Sequence, residues 1–298
     1  MKGARMDANV SSVSYYPMDG MVLSTGNIYL TMHDVLGAHV FRTGQTSIPG
    51  QEIELYSEHS GSRFGDIVWA KVGDVYYGYF WALEGGNSFI KCIPLTGTET
   101  ATVLSPPIND IDIINSYHNL ATDGVSLFWQ SAASVSKMPI GGGPVTQLDP
   151  VSPNTPTAGV YLNQGNLIYA DVDQLRYVPV NGAATPPGLR IIATDSDMVT
   201  TILPLSDGIY WGNRAGAIRV KTGPAISTIQ PGPGSIPSSI GTNSATIGGP
   251  LIWTQGDEVV YDLPGRQGSF AAADRAHGAS MNSADIAFWG DANGIHRF

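Results

Sequence analysis

The sequence has very little cysteine: Cys92 is the single cysteine among 298 residues. One cysteine excludes an internal disulfide and zinc sites built from several cysteines. Charged residues are also few, at 13% of the chain, about half the usual share. Because Cys92 lies in the apolar segment 89–94, we expect a buried and unreactive thiol.

Basic residues are scarcer than acidic ones, with 15 Lys and Arg against 25 Asp and Glu. No cluster of Lys or Arg stands out, so we expect no nucleic-acid partner. No apolar run reaches the ~18 residues of a membrane span, and residues 1–10 contain no apolar leader segment. We therefore expect a cytoplasmic protein, or a secreted one whose leader has been removed, with residues 1–7 as a disordered tail.

Patterns that would fix a helix or a reaction are lacking as well. No amphipathic helical pattern of ten residues occurs, and the G-x-S-x-G, H-E-x-x-H, P-loop and G-x-G-x-x-G motifs are missing. By contrast, 36 Gly and 20 Pro are typical of a chain with many tight turns. The composition favours an all-β protein and leaves the chemistry open.

A short apolar strand rich in aromatic residues recurs through the chain. Its copies lie at residues 28–30, 75–77, 127–129, 167–169, 209–211, 251–253 and 286–289. Their centres are 36 to 51 residues apart. A turn dipeptide such as Asp123-Gly124 precedes most copies, and a second strand follows each, often ending in proline and a glycine-rich turn.

A period near 40 residues with room for four strands is typical of a β-propeller blade. The repeats predict a single seven-bladed β-propeller of four-stranded antiparallel blades over residues 1–298. The last copy ends at Phe298 after its third strand, whereas residues 10–17 alternate apolar and polar side chains. We therefore expect this N-terminal segment to close the last blade as its outer strand, in a monomer.

The stretch from Asp123 through Leu127-Phe128-Trp129 to Gly143 resembles the low-charge blade repeat of bacterial stand-alone propellers related to YWTD and NHL repeats. It lacks the Gly-His and Trp-Asp pairs of WD40 repeats. The resemblance extends over nearly the whole chain and implies the fold alone. Strictosidine synthase and virginiamycin B lyase are enzymes on similar propellers, but fold does not give function.

Titratable residues concentrate in the loops before each first strand and between strands two and three, which gather on one face of a propeller. His118 and His277 hold matching places before the channel strands of the third and seventh copies, and Arg63 holds a similar place in the second. A histidine there would act as general acid or base, and an arginine would stabilise an oxyanion. We take His118, His277 and Arg63 as candidate catalytic residues.

Other residues of this face are candidates for binding. Tyr79 and Trp81 are expected to run past their strand into a loop and to wall a pocket; the further substrate-binding candidates are His33, Asp197 and Arg275. Carboxylates two residues apart in an extended chain point the same way. Asp110, Asp112 and Asp195 could therefore hold Ca²⁺ or Mg²⁺, although turn-forming aspartate is the commoner explanation. No cofactor is predicted.

Three functions remain open at this point. The first is an enzyme that acts on a small, largely apolar molecule at the channel mouth, by histidine-catalysed elimination, isomerisation or cyclisation. The second is a lectin-like ligand-binding propeller, against which the differences between the loops count. The third is a propeller that binds protein partners.

Overall fold

The computed structural model describes the backbone of residues 18–24, 27–33, 37–44, 53–59, 61–96, 100–108, 119–152, 158–182, 190–230, 234–242, 244, 246–263, 265–272, 277–281, 287–291 and 294–297. Every regular element in this part of the chain is a β-strand. None of its segments is a helix long and apolar enough to cross a membrane.

The strands form successive antiparallel sheets, each built from consecutive strands in chain order. The first sheet contains β1 (Met18–Ser24), β2 (Asn27–His33), β3 (Gly37–Gly44) and β4 (Ile53–His59). The second contains β5 (Arg63–Val72), β6 (Val75–Glu84), β7 (Asn87–Pro94) and β8 (Thr102–Val103). The third contains β9 (Leu120–Thr122), β10 (Ser126–Gln130), β11 (Ser134–Pro139) and β12 (Thr146–Pro150).

The second half of the chain continues the same order. The fourth sheet contains β13 (Val160–Asn163), β14 (Asn166–Asp171), β15 (Gln174–Pro179) and β16 (Ile191–Thr194). The fifth contains β17 (Val199–Pro204), β18 (Gly208–Asn213), β19 (Ile218–Thr222) and β20 (Ala225–Gln230). The sixth contains β21 (Pro237–Gly241), β22 (Leu251–Gln255), β23 (Glu258–Leu263) and β24 (Arg266–Ala271). A three-stranded sheet follows, made of β25 (His277–Met281), β26 (Ala287–Asp291) and β27 (Gly294–Arg297).

The sheets are arranged around an axis as a β-propeller. The first strand of each sheet contacts the first strand of the next, and β25 contacts β1, which closes the ring. The second strands contain the aromatic repeats, and tight turns join first and second strands. At Gly124 the turn has a φ of 83°, a conformation that glycine adopts without steric cost. The repeat pattern therefore places strands two and three of each sheet correctly.

The prediction of seven four-stranded blades is wrong. The described residues form six four-stranded blades, and the last repeat forms only the three-stranded sheet β25–β27. The physical reason is that β1, the first described strand, pairs with β2 of its own sheet and so adds no fourth strand to β25–β27. Residues 10–17, expected to supply the missing strand, lie outside the described residues, as does the predicted tail at residues 1–7.

The hydrophobic core lies between neighbouring sheets. Trp81 of the second sheet and Trp129 of the third meet edge to face, with ring centroids 6.1 Å apart, and both are fully buried. Each large apolar side chain buried in this way contributes about 1.5–3 kcal/mol. Blades need each other because a single twisted sheet would leave such side chains in water.

Tight contacts also join the loops of adjacent blades. Gly216, in the turn between β18 and β19, has a φ of 86°. A Cβ atom there would lie 2.6 Å from the backbone nitrogen of Gly234, which precedes the sixth sheet. Only glycine fits both the conformation and the approach.

Candidate functional site

Several predicted site residues cannot be placed by the structure. His118, Arg275, Asp110 and Asp112 lie outside the described residues. His33 is the last residue of β2, and His277 is the first residue of β25. By topology, both backbone positions belong to the end of the ring that holds the loops before first strands and between second and third strands.

Arg63 and Asp197 belong to different parts of this end. Arg63 is the first residue of β5, is half-buried, and pairs in register with Leu83 of β6. Asp197 precedes β17, and its Oδ1 accepts a hydrogen bond of 2.7 Å from the Met198 amide. The two residues stand at the starts of the second and fifth sheets, so the structure does not bring them together.

Tyr79 and Trp81 do not leave their strand, and that part of the prediction is wrong. Strand β6 continues to Glu84, and both rings are buried, with 2% and 0% of their surface exposed. They pack in one hydrophobic cluster with Leu120, Leu127 and Trp129 of the third sheet. The long run of aromatic residues fills the space between two sheets and leaves no surface for a ligand to stack on.

Asp195, a cation-ligand candidate, joins the fourth and fifth sheets through its carboxylate. Its Oδ2 accepts a 2.5 Å hydrogen bond from Trp211 Nε1 and lies 3.2 Å from Arg219 Nε. Burial pushes the pKa of Asp195 up, but the hydrogen bonds from Trp211 and Asn213 and the charge of Arg219 hold it below its ordinary value. Protein donors therefore surround the carboxylate. Among the described residues, no group of three or more His, Cys, Asp or Glu could hold a metal ion.

Loops of neighbouring sheets meet at the expected end of the ring. The amide of Asp195, after β16, donates to the carbonyl of Asp173 in the β14–β15 turn over 2.8 Å. The amide of Arg214, in the β18–β19 turn, donates to the carbonyl of Met198 before β17 over 2.8 Å. The loops before first strands and between second and third strands therefore share the surface at this end of the ring, and they are in contact at the fourth and fifth sheets.

A pocket of about 600 Å³ opens on this surface between the first and second sheets. Its lining comes from the end of β4, from the connection to β5 and from the β6–β7 hairpin. The lining residues are Tyr56, Ser57, Glu58, Gly61, Ser62, Glu84 and Gly85. The volume is within the range of small-ligand sites, which is about 300–1,000 Å³. This pocket is the candidate functional site.

An ion-pair cluster stands at the base of the pocket. Lys91 extends from β7, and its Nζ donates hydrogen bonds to Glu58 Oε1 of β4 and contacts Glu84 Oε1 of β6. The Tyr56 hydroxyl donates to the same Glu58 oxygen. The Lys91 side chain is 6% exposed and Glu58 is 9% exposed, whereas Glu84 is 34% exposed. Glu84 is therefore the acid that the pocket presents to solvent.

The contacts in this cluster fix its charges. Burial opposes the ionised form of Glu58, but the hydrogen bonds from Lys91 and Tyr56 lower its pKa below the ordinary value. Burial likewise opposes the charge on Lys91, but the two glutamates raise its pKa. Burial and the neighbouring Glu58 also raise the pKa of Tyr56. Near neutral pH, Glu58 stays negative, Lys91 positive and Tyr56 protonated.

None of the residues of this cluster is among the site residues predicted from the sequence. The available signal was Lys91 itself, which is the single charged residue of an apolar strand. A buried lysine requires an acidic partner. The partner, Glu58, lies 33 residues earlier on another sheet, and no local pattern predicts that pairing.

We expect Lys91→Met to lower the free energy of unfolding by about 2 kcal/mol, because it leaves Glu58 with no cation. Breaking a fully buried pair costs about 3–5 kcal/mol, but Glu84 is partly solvated and can be hydrated. Urea denaturation at pH 7 measures the loss. The control is Lys71→Met, which removes the exposed pair with Asp74 and should cost at most about 0.5 kcal/mol. Equal effects of the two substitutions would contradict this account.

Comparisons with known proteins identify the fold. No family model and no curated protein matches the sequence. The WD40 β-propeller domain of Doa1 has a TM-score of 0.71 at 10% identity, over 100% of this chain and 96% of that one. Raptor of Chaetomium thermophilum has a TM-score of 0.70 at 10% identity, over 98% of this chain but 28% of that one.

A chain of the nidogen–laminin complex has a TM-score of 0.57 at 15% identity, over 84% of this chain and 96% of that one. Identities this low are evidence of fold and of nothing finer. The structural relatives include both WD40 and YWTD-type propellers, so neither repeat class is singled out. This chain has the β-propeller fold.

Proposed function

We propose that this chain is a non-catalytic binding propeller that holds a polypeptide partner at the pocket between its first two sheets. The observation that carries the proposal is the pocket of about 600 Å³ at the loop end, where Lys91 Nζ contacts both Glu58 and Glu84. A general acid or base works best with a pKa near the operating pH. Here the pKa of Glu58 is lowered and that of Lys91 is raised, so both groups hold fixed charges and are suited to recognition.

The structural relatives support the same conclusion. The Doa1 and nidogen chains are propellers of similar size to this one, and the nidogen structure is a complex between two proteins. Propellers of this kind mostly bind proteins without catalysing a reaction. The loop end of a propeller suits this task because several blades contribute loops to one rigid surface.

The histidine-dependent enzyme stays a prediction without support from the described residues. His118 and Arg275 lie outside them, and Arg63 and Asp197 are not brought together. Tyr79 and Trp81, which were expected to line a pocket for a small, apolar substrate, are buried in the core. Lyase or isomerase chemistry at the channel mouth therefore rests on the sequence pattern alone.

The proposal predicts that peptides selected against this protein bind at the pocket. Peptides would be selected from a random display library and their affinities measured by fluorescence anisotropy. Ser57→Trp fills the pocket from β4 and should weaken binding at least tenfold, or about 1.4 kcal/mol. The control is Ser227→Trp on β20, because both serines are exposed on fourth strands but Ser227 is far from the pocket.

Two outcomes of this experiment would contradict the proposal. Selected peptides could bind both tryptophan variants with equal affinity, which would place the binding surface elsewhere. Alternatively, the library could return no peptide that binds the wild-type protein above background, which would leave the pocket without a polypeptide partner.

A further inference from the structure

The pocket between the first two sheets has an unbalanced charge. Its described lining includes two acids, Glu58 and Glu84, and no basic residue. The single ammonium of Lys91 contacts both carboxylates, so two negative charges meet one positive charge. One unit of negative charge remains, and it falls on the more exposed Glu84.

The rim of the pocket leaves room for a long side chain. Gly61 and Gly85 have φ values of 98° and 55°, and a Cβ atom built on either would meet nothing within 4 Å. The other rim residues, Ser57 and Ser62, are also small. An extended segment of a partner can therefore approach closely and insert one side chain between the two sheets.

We propose that the pocket binds an arginine or lysine side chain of an extended partner segment, with Glu84 as the residue that accepts its charge. This inference rests on the proposed function and names the chemistry of the partner. Lys91 already shows that the two carboxylates accept an ammonium group, and a guanidinium offers five donors in a planar fork that suits a carboxylate. The surplus of acids over bases in the whole chain, 25 against 15, attracts the same partner from a distance.

The test uses two peptides of nearly the same shape, of which only the first has a charged side chain: acetyl-Gly-Arg-Gly-amide and acetyl-Gly-citrulline-Gly-amide. Citrulline has the shape of arginine without its charge. Titrations followed by NMR should show the arginine peptide shifting the amide signals of Gly61, Ser62 and Gly85, with an affinity that falls as salt is added. The citrulline peptide should bind at least fivefold more weakly. Equal binding of the two peptides would overturn the inference.

Matched variants test whether the carboxylate of Glu84 binds the arginine peptide. Glu84→Gln should weaken binding of the arginine peptide at least fivefold, whereas Glu258→Gln, at an exposed glutamate of the sixth sheet, should leave it unchanged. Ser57→Glu adds an acid to the rim and should strengthen binding, which keeps the test decisive if Glu84→Gln perturbs folding. An unchanged affinity in both Glu84→Gln and Ser57→Glu would overturn the inference.

The two proposals fail differently. If the library-selected peptides lose affinity for Ser57→Trp but are insensitive to Glu84→Gln and to replacement of arginine by citrulline, the pocket binds polypeptides and the basic side chain is refuted. If those peptides do not respond to Ser57→Trp, the proposed function itself is refuted.

Discussion

Asp149→Ala is expected to lower the free energy of unfolding by about 4 kcal/mol, the largest loss we predict from a single substitution. Asp149 lies in β12, the fourth strand of the third sheet. Its side chain is 2% exposed. Its Oδ1 lies 2.7 Å from Arg190 Nη1, and its Oδ2 accepts a hydrogen bond from the Tyr169 hydroxyl. Alanine would leave Arg190 buried with no acid in contact, and removing one partner of a buried pair costs about 3–5 kcal/mol.

The neighbouring Arg176 is affected less, because it has a second partner. Its Nη1 lies 2.6 Å from Asp171 Oδ2 and its Nη2 lies 3.7 Å from Asp149 Oδ2. The loss in Asp149→Ala should therefore come mainly from Arg190. The double variant Asp149→Leu with Arg190→Met tests this, because it removes both charges of the pair and should recover most of the lost stability.

Urea denaturation at pH 7 would compare these variants with Asp74→Ala, which removes an exposed surface acid and should change stability by at most about 0.5 kcal/mol. A loss below about 1 kcal/mol for Asp149→Ala would show that the buried network does not hold the third and fourth sheets together. If the double variant does not recover stability, the loss in Asp149→Ala comes from altered packing around Tyr169 and not from the unpaired charge of Arg190.

Asp66→Asn is expected to gain stability relative to the wild type as the pH rises from 3.8 to about 7, and the difference then stays constant. Asp66 is 3% exposed in the inner strand β5. It accepts hydrogen bonds from its neighbour Ile67, over 2.9 Å, and from Leu120 of the third sheet, over 3.1 Å. Burial raises the pKa of its carboxyl from 3.8 to about 7, despite these two bonds.

The sign follows from linkage between folding and protonation. Between pH 3.8 and about 7 the folded protein binds the Asp66 proton more tightly than the unfolded chain does, so stability falls as the pH rises through this window. The shift is about three pKa units at about 1.4 kcal/mol each, which sets an upper bound on the order of 4 kcal/mol. Asparagine carries no charge to bury, but its single side-chain oxygen can accept only one of the two backbone hydrogen bonds. The lost bond costs about 1–3 kcal/mol at every pH.

Unfolding free energies of both proteins between pH 4 and 8 would measure the effect. The stability of Asp66→Asn relative to wild type should be lowest at pH 4 and highest from about pH 7 to 8. Asp171→Asn is the control of opposite sign. Burial opposes ionisation of Asp171, but hydrogen bonds from Ser152 and Arg176 lower its pKa below the ordinary value of 3.8. That variant should therefore be less stable than wild type by a nearly constant amount from pH 8 to 4, and approach wild type only below that range. A constant difference between Asp66→Asn and wild type across the range would refute the argument.

Much of the fold could be predicted from the sequence because strand and turn signals are local. The segment 127–129 is apolar and aromatic and follows Asp123-Gly124, and it forms β10 behind a turn. The same holds for 167–169 in β14 and 209–211 in β18. Alternation of side chains along a strand and positive φ at glycine are properties of neighbouring residues. Repetition then indicated a propeller, because a single blade cannot bury its own faces.

The candidate site could be predicted only in part, since its residues meet across sheets. The sequence indicated that titratable loops share one end of the ring, and the hydrogen bonds at Asp195 and Arg214 join such loops. It could not show that Tyr79 and Trp81 fill a core, because strand length depends on the pairing partner. Nor could it show that Lys91 reaches Glu58, since charge pairs on separate blades leave no period in the sequence.

By itself, therefore, the sequence determined an all-β propeller and the positions of strands two and three in each repeat. Only the tertiary structure decided that, in the described part of the chain, six blades have four strands while the last repeat has three, and which acids are buried against which bases. The physical reason is the separation along the sequence between the residues that interact. Backbone propensity and side-chain alternation act between adjacent residues, whereas burial of charge and the packing of one sheet on another depend on residues 33 to 54 positions apart.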